Sequence, residues 1–230
     1  MGVARENRMY ETYWKLAGRP FGNTADPRYY YHSRQHDEAL VKLTYAATEN
    51  MGAAMLTGPY GCGKTLLSRV FVQQLGHRIV PAWCSAQPNM APLDLLRSVA
   101  RSMSDASLSD VRSELMTDAL FERIEKRLIE NVRDGKHTVI VLDEAHMIDN
   151  HAVLETTRLL LNFQNDRGFL LTLLLLGHPE LVARIADLKQ LSQRIPITCR
   201  LSAFDKDDTS MYVKTRMAIA GRKDELFTAD

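Results

Sequence analysis

The chain has 230 residues, with 29 Lys and Arg against 28 Asp and Glu, and a formal net charge of +1. That length fits one large domain, or one domain with a small appendage, and 45% apolar with 25% charged residues excludes a fibrous or wholly disordered chain. The balanced charge argues against a protein that coats nucleic acid or anionic lipid through bulk electrostatics, and leaves only a local basic patch open. Three cysteines (Cys62, Cys84, Cys199) are odd in number and irregularly spaced. They make neither a disulfide framework nor a CxxC metal site and read as reduced thiols. The N-terminal text is charged throughout, with no apolar stretch of a signal peptide, and Glu6 stands where myristoylation needs Ser or Thr. The longest apolar run, 169–177, is too short to span a bilayer, so a cytoplasmic protein with no membrane span in this chain is expected.

In chain order, residues 1–48 read as an N-terminal aromatic segment and helix packed on a core. Pro20, Gly22 and Pro27 break the aromatic text into a short helix and a loop. Ser33 is placed to cap a helix to about Thr48, with Leu40, Leu43, Tyr45 and Ala46 apolar. From 49 to 204, apolar runs at 53–58, 78–84, 138–145, 169–177 and 195–201 alternate with helical stretches. Those helices are predicted over Lys64–Leu75, Pro92–Met103, Leu115–Val132 and Ala152–Phe163. In the third, Met116, Leu120, Ile124, Leu128 and Val132 paint one stripe. Continuous apolar runs suit strands covered on both faces, and strand–helix alternation predicts an α/β sandwich around a mostly parallel sheet. Residues 205–230 turn short and helical and suit the start of a small lid.

The strongest motif is GPYGCGKT at 58–65, a complete G-x-x-x-x-G-K-[ST] between an apolar strand and a helix. Its glycines (Gly58, Gly61, Gly63) let backbone N–H groups converge on phosphate oxygens, and the following helix directs its positive end at the same anion. Lys64 would contact the β- and γ-phosphates, and Thr65 would offer a hydroxyl to Mg²⁺. The nucleotide-binding segment is therefore Gly58, Pro59, Tyr60, Gly61, Cys62, Gly63, Lys64, Thr65 and Leu66. The second motif is TVIVLDEAH at 138–146, a strand ending in two acids. Carboxyl ends of parallel strands face the ligand crevice, so Asp143 would hold Mg²⁺ through water and Glu144 would polarise an attacking water. Taken alone, the pair reads better as solvated acids at a strand end; beside the P-loop, 79 residues upstream, it reads as a metal and water site. His178, after the run 169–177, either senses the γ-phosphate and positions water or is a loop histidine with no catalytic part. Arg194 either reaches a neighbour's site as an arginine finger or forms an ordinary surface contact.

These motifs resemble AAA+ ATPases. The text MYETYWKLAGRPF (9–21), DPRYYYHSRQHDEAL (26–40), LETTRLLLNFQND (154–166), LLGHPEL (175–181) and LKQLSQRI (188–195) is similar to the ExeA/GspA-type general secretion pathway group. That resemblance runs from Met9 to about Gly221. It implies a P-loop NTPase three-layer α/β/α sandwich with a mostly parallel five-stranded sheet and the start of a helical lid. It also implies ATP and Mg²⁺ as cofactors, Lys64, Glu144, His178 and Arg194 as catalytic residues, and Thr65 and Asp143 as metal residues. His178 stands where the group usually carries Gln, and Arg194 matches the arginine of a QRI phrase. The aromatics around Pro20, Phe21 and Tyr29 to Tyr31 would lie near the adenine. The group's lid continues into a GxPRxIN-like phrase with a sensor arginine, which these residues lack, so the lid is expected to be partial.

Three functions stay open at this level. The first is an ATP-hydrolysing motor or switch in secretion or envelope assembly, forming an ATP-dependent dimer or ring with a protein partner. The second is an ATP-dependent, DNA-binding regulator of transposition like the TniB/MuB-type ATPases. The third is a nucleotide-gated binding module with little turnover.

Overall fold

The computed structural model of the chain describes residues 9–103 and 116–222. In chain order the elements are α1 (Met9–Tyr13), α2 (Arg34–Thr48), β1 (Ala53–Thr57), α3 (Lys64–Leu75), β2 (Ile79–Ser85), α4 (Pro92–Ser102), α5 (Thr117–Arg133) and β3 (His137–Asp143). Then come α6 (His151–Leu160), β4 (Gln164–Asn165), β5 (Gly168–Phe169), β6 (Leu171–Gly177), α7 (Glu180–Ala186), α8 (Lys189–Ser192), β7 (Ile197–Arg200) and α9 (Lys206–Ile219). Among these residues no helix is long and apolar enough to cross a membrane.

Five strands form one sheet in the order β2-β3-β6-β1-β7, and every pairing is parallel. Strands β1 and β6 are buried along their whole length and β3 is buried except at its ends. Both faces are covered, so consecutive apolar residues serve opposite sides. Met55, Ile140, Leu142, Leu173 and Leu175 join the core under α4 to α8. Leu56, Val139, Val141, Leu174 and Leu176 join the core under α2 and α3. The result is the three-layer α/β/α sandwich with a five-stranded parallel sheet.

Some local expectations shift. The helix start predicted at Leu115 lies outside the described residues, as do 1–8 and 223–230 of the terminal segments. Met116 is 66% exposed, so the α5 stripe that packs is Leu120, Ile124 and Leu128, with Val132 partly buried against the same core. Met116 is the residue before the first helical turn and points off the face. Tyr45 is likewise 54% exposed while Leu40, Leu43 and Ala46 are buried on α2. Ser33 does stand at the α2 N-cap, yet its hydroxyl serves His36 Nδ1 at 2.7 Å instead of a backbone N–H. The two-residue hairpin strands β4 and β5 were not anticipated.

Between β1 and β3 runs β6, so the loop after β1 and the acids after β3 flank the end of β6 at one edge of the sheet. Over that edge lie the N-terminal loop and α9, which begins with Asp205 accepting from Asp208 N at 2.8 Å. Arg216 of α9 is buried and ties the two together. Its Nε donates to Pro20 O, while Nη1 and Nη2 donate to Tyr29 O at 3.3 Å and Gly22 O at 3.4 Å. Its guanidinium also lies 4.7 Å from the Tyr29 ring centroid and 5.4 Å from that of Tyr212.

Candidate functional site

The loop between β1 and α3 needs its glycines for two separate reasons. Gly61 and Gly63 have φ of +75° and +87°, a region that L side chains seldom adopt. At Gly58 the constraint is space, because a Cβ would lie 2.8 Å from Leu201 O and 2.7 Å from Cys62 Sγ. Gly63 is also crowded, with His36 Nε2 3.2 Å from where its Cβ would be. His36 is buried beneath the loop and its Nε2 donates to Cys62 O at 2.9 Å, which leaves Nδ1 to accept from Ser33. Burial pushes the His36 pKa down, so the neutral ring is the form that braces the loop. Burial also pushes the Cys62 thiol up, which keeps it a neutral packing group.

Lys64 opens α3 and its Nζ donates to Gly58 O and Pro59 O, both at 2.9 Å. The ammonium is thus held within the loop at the helix N-terminus. From the next residue, Thr65 Oγ1 donates to Asp143 Oδ2 at 2.9 Å. Asp143 Oδ1 accepts from the Glu144 N–H at 2.9 Å. Residues far apart in sequence, on α3 and β3, are therefore in direct contact at the carboxyl edge of the sheet. Glu144 itself sits at φ 54°, ψ 32°, a left-handed conformation costing a non-glycine residue about 1–3 kcal/mol. Such outliers concentrate where a side chain must be aimed.

A cavity of about 530 Å³ opens over this arrangement, with Gly61, Lys64, Thr65, Glu144, Tyr30 and Arg216 among its walls. It is roomy enough for a small organic ligand. The oxygen set fits a Mg²⁺ ion. This small, hard cation is held by one or two carboxylates or hydroxyls plus substrate phosphates. Thr65 Oγ1 and Asp143 Oδ2 bring such a hydroxyl and carboxylate side by side at the foot of the loop.

The other expected residues take different places. Tyr30 and Tyr31 line the cavity with Asn23 and Thr24, whereas Pro20, Phe21 and Tyr29 are not among its walls. Phe21 is exposed and Tyr29 stacks on Arg216. His178, at the end of β6, lies behind Tyr60, with ring centroids 4.9 Å apart and planes at 26°. Its Nδ1 is 3.1 Å from Glu180 Oε1. Arg194 is half-buried beyond α8, where Nη1 donates to Leu161 O at 2.8 Å, and it does not line the cavity. Sequence reasoning missed His36, His146, Phe204, Tyr212 and Arg216. His36 stood in the phrase at 26–40 and His146 was the last letter of DEAH, but the contacts of both depend on turns that no periodicity reveals.

A glycine-rich loop on β1, a hydroxyl and a strand-end carboxylate in contact, and β6 between their strands define a P-loop α/β nucleotide-binding architecture. Residues 47–185 match the family described as AAA domain, and the chain belongs to that family. It is similar to general secretion pathway protein A of Aeromonas hydrophila, with 34% identity over 223 residues, or 96% of this chain. The chain spans 40% of the length of that relative. Among solved structures it is similar to the ORC2 protein of Aeropyrum pernix in ADPNP-ADP complexes, with TM-score 0.68 and 17% identity over 87% of this chain and 55% of that one. It is also similar to Cdc6p of Pyrobaculum aerophilum, with TM-score 0.66 and 19% identity over 88% of this chain and 54% of that one. Those structures support the fold.

Proposed function

We propose that this chain binds ATP with Mg²⁺ in the 530 Å³ cavity and hydrolyses it to ADP and phosphate. The observation that carries the reading is the 2.9 Å Thr65–Asp143 contact beneath the loop from Gly58 to Lys64. Lys64 is the charge that would exchange its two loop carbonyls for phosphate oxygens, and the N–H groups of Gly61 to Leu66 would cradle them. Thr65 and Asp143 would hold Mg²⁺, which when bound neutralises phosphate charge. Glu144, lining the same cavity, would accept a hydrogen bond from the attacking water and turn it in line. His178 is set back behind Tyr60, so its contact with phosphate would run through that ring or a water. Arg194 stands outside the cavity, so any role as a finger is played in a neighbouring copy, which makes ATP-dependent self-association part of the proposal.

The identity to a general secretion pathway protein supports a biological setting in secretion or envelope assembly, where hydrolysis would drive a switch acting on a protein partner. Phosphate release and nucleotide affinity of the purified chain test the core of the reading. With ATP and Mg²⁺ the chain should release phosphate, and Lys64→Ala should lower that release by on the order of a hundredfold or more. A Lys64→Ala protein that binds and hydrolyses like the wild type would sink the proposal.

A further inference from the structure

Tyr60, in the loop between β1 and α3, is 70% exposed, yet its hydroxyl rests on a buried partner. Tyr60 Oη lies 3.1 Å from Nε2 of His146, which is 5% exposed in the short turn Ala145–Met147 after β3. Arg184 pins that turn, its Nη1 donating to His146 O at 2.5 Å and to Ile148 O at 2.7 Å. The other ring nitrogen, His146 Nδ1, accepts from the His178 backbone N–H at 3.2 Å. Gly177 lets the end of β6 come this close, since a Cβ there would lie 3.3 Å from His146 N. Glu144 Oε2 stands 3.3 Å from the same Nδ1, whose lone pair the His178 N–H occupies.

A ring nitrogen that accepts carries no proton, and a neutral imidazole has one N–H. The His146 proton is therefore on Nε2, and Nε2–H donates to Tyr60 Oη. A hydroxyl that accepts still has its own hydrogen to give, and among the described residues that hydrogen meets no acceptor. Accepting one hydrogen bond also polarises an O–H and makes it a stronger donor. The position of the ring is set as well. It stacks on His178 at 4.9 Å, Lys64 Nζ lies 5.9 Å from its centroid, and it lines the cavity beside Lys64 and Glu144. We propose that the Tyr60 hydroxyl binds the γ-phosphate of ATP, donating its hydrogen to a γ-oxygen. His146 is the positioning residue that leaves this hydrogen to the ligand. ADP has no such oxygen, so the hydroxyl tells ATP from ADP at the loop itself. The His178 N–H, through His146, ties that reading to the end of β6. The inference deepens the proposed function and rests on its reading of the cavity as an ATP site.

The test measures the affinity of the full chain for ADPNP, an ATP analogue whose γ-phosphate resists hydrolysis, and for ADP, each with Mg²⁺. A wild-type chain that binds neither nucleotide overturns the proposed function and this inference together. With binding established, Tyr60→Phe removes only the hydroxyl and keeps the stack on His178. It should weaken ADPNP by about tenfold, the size of one hydrogen bond to a charged oxygen, and leave ADP within about twofold. His146→Ala should weaken ADPNP by about threefold, because the hydroxyl remains but loses its fixed direction. His146→Gln, whose amide nitrogen can take the Nε2 place, should recover most of that loss. In a chain that already carries Tyr60→Phe, His146→Ala should leave the ADPNP-to-ADP ratio where it is, since it acts through the hydroxyl alone. A Tyr60→Phe protein with the wild-type ratio overturns the inference and leaves the proposed function standing. A His146→Ala effect that persists in full beside Tyr60→Phe overturns the positioning role. Should His146→Ala fail to fold, the Tyr60→Phe ratio decides alone, because that ring is exposed and its loss of one oxygen disturbs no core.

Discussion

The two ends of the sheet each set a histidine against a hydroxyl, and the two pairs are built differently. At the lower end His137 Nε2 meets Thr172 Oγ1 at 2.9 Å. Both residues belong to neighbouring strands of one ladder, β3 and β6, so they part only if the sheet does. Nearby, Asn131 Nδ2 donates to Thr138 Oγ1 at 2.9 Å, here between a helix end and the strand it packs on. At the upper end, His146 and Tyr60 sit on two loops that leave different strands and share no ladder. Burying polar groups inside a ladder rigidifies the fold, whereas burying them between loops links parts that a ligand can move. The cavities follow the same division. The lower one, about 340 Å³, carries Arg78, Lys136 and Arg167 and no acid on its walls. Arg78 and Lys136 follow the ends of α3 and α5, where cations offset the negative helix C-termini, and the fold accounts for them. The upper cavity instead gathers Lys64, Thr65 and Glu144 around a strained backbone.

If this division is real, the two ends break separately. Leu174 lies in the middle of β6 and is 1% exposed. Leu174→Ala should cost about 2–5 kcal/mol of stability by denaturant unfolding while phosphate release per folded molecule stays unchanged. A parallel loss of turnover in the folded fraction would show that core and site are one unit. A smaller effect is expected at His137, whose pKa burial pushes from 6.5 down to about 4. Between those values the unfolded chain binds more protons than the folded one. Stability is therefore full above about pH 6.5 and falls as the pH drops toward 4, by about 3 kcal/mol at most. His137→Gln keeps a polar group for Thr172 without a proton to gain, and should flatten that part of the acid-side decline. An unchanged pH slope in the variant would mean that other groups dominate it.

The sheet was legible in the sequence because strands covered on both faces are nearly continuously apolar, as Leu173 to Leu176 are. The loop and the acids were legible because phosphate and metal chemistry constrains residue type at fixed spacing. What stayed hidden depends on contacts across long separations. Arg216 gathers the carbonyls of Pro20, Gly22 and Tyr29 from the far end of the chain, and nothing local marks it. Tyr45 reads as core by composition and faces outward, because one apolar face of α2 already covers the sheet. The β4–β5 hairpin is too short to show alternation. The place of His146 follows from the left-handed turn at Glu144, a conformation that residue type does not announce.

The central claim is that Glu144, Asp143, Thr65 and Lys64 form one hydrolytic site. Its most direct test is phosphate release by Glu144→Gln, measured beside the affinity of the same protein for ATP and Mg²⁺. The expected result is affinity close to that of the wild type with release lowered by on the order of a hundredfold, as removal of a water-orienting base does. Release equal to the wild type, with nucleotide bound, would contradict the account.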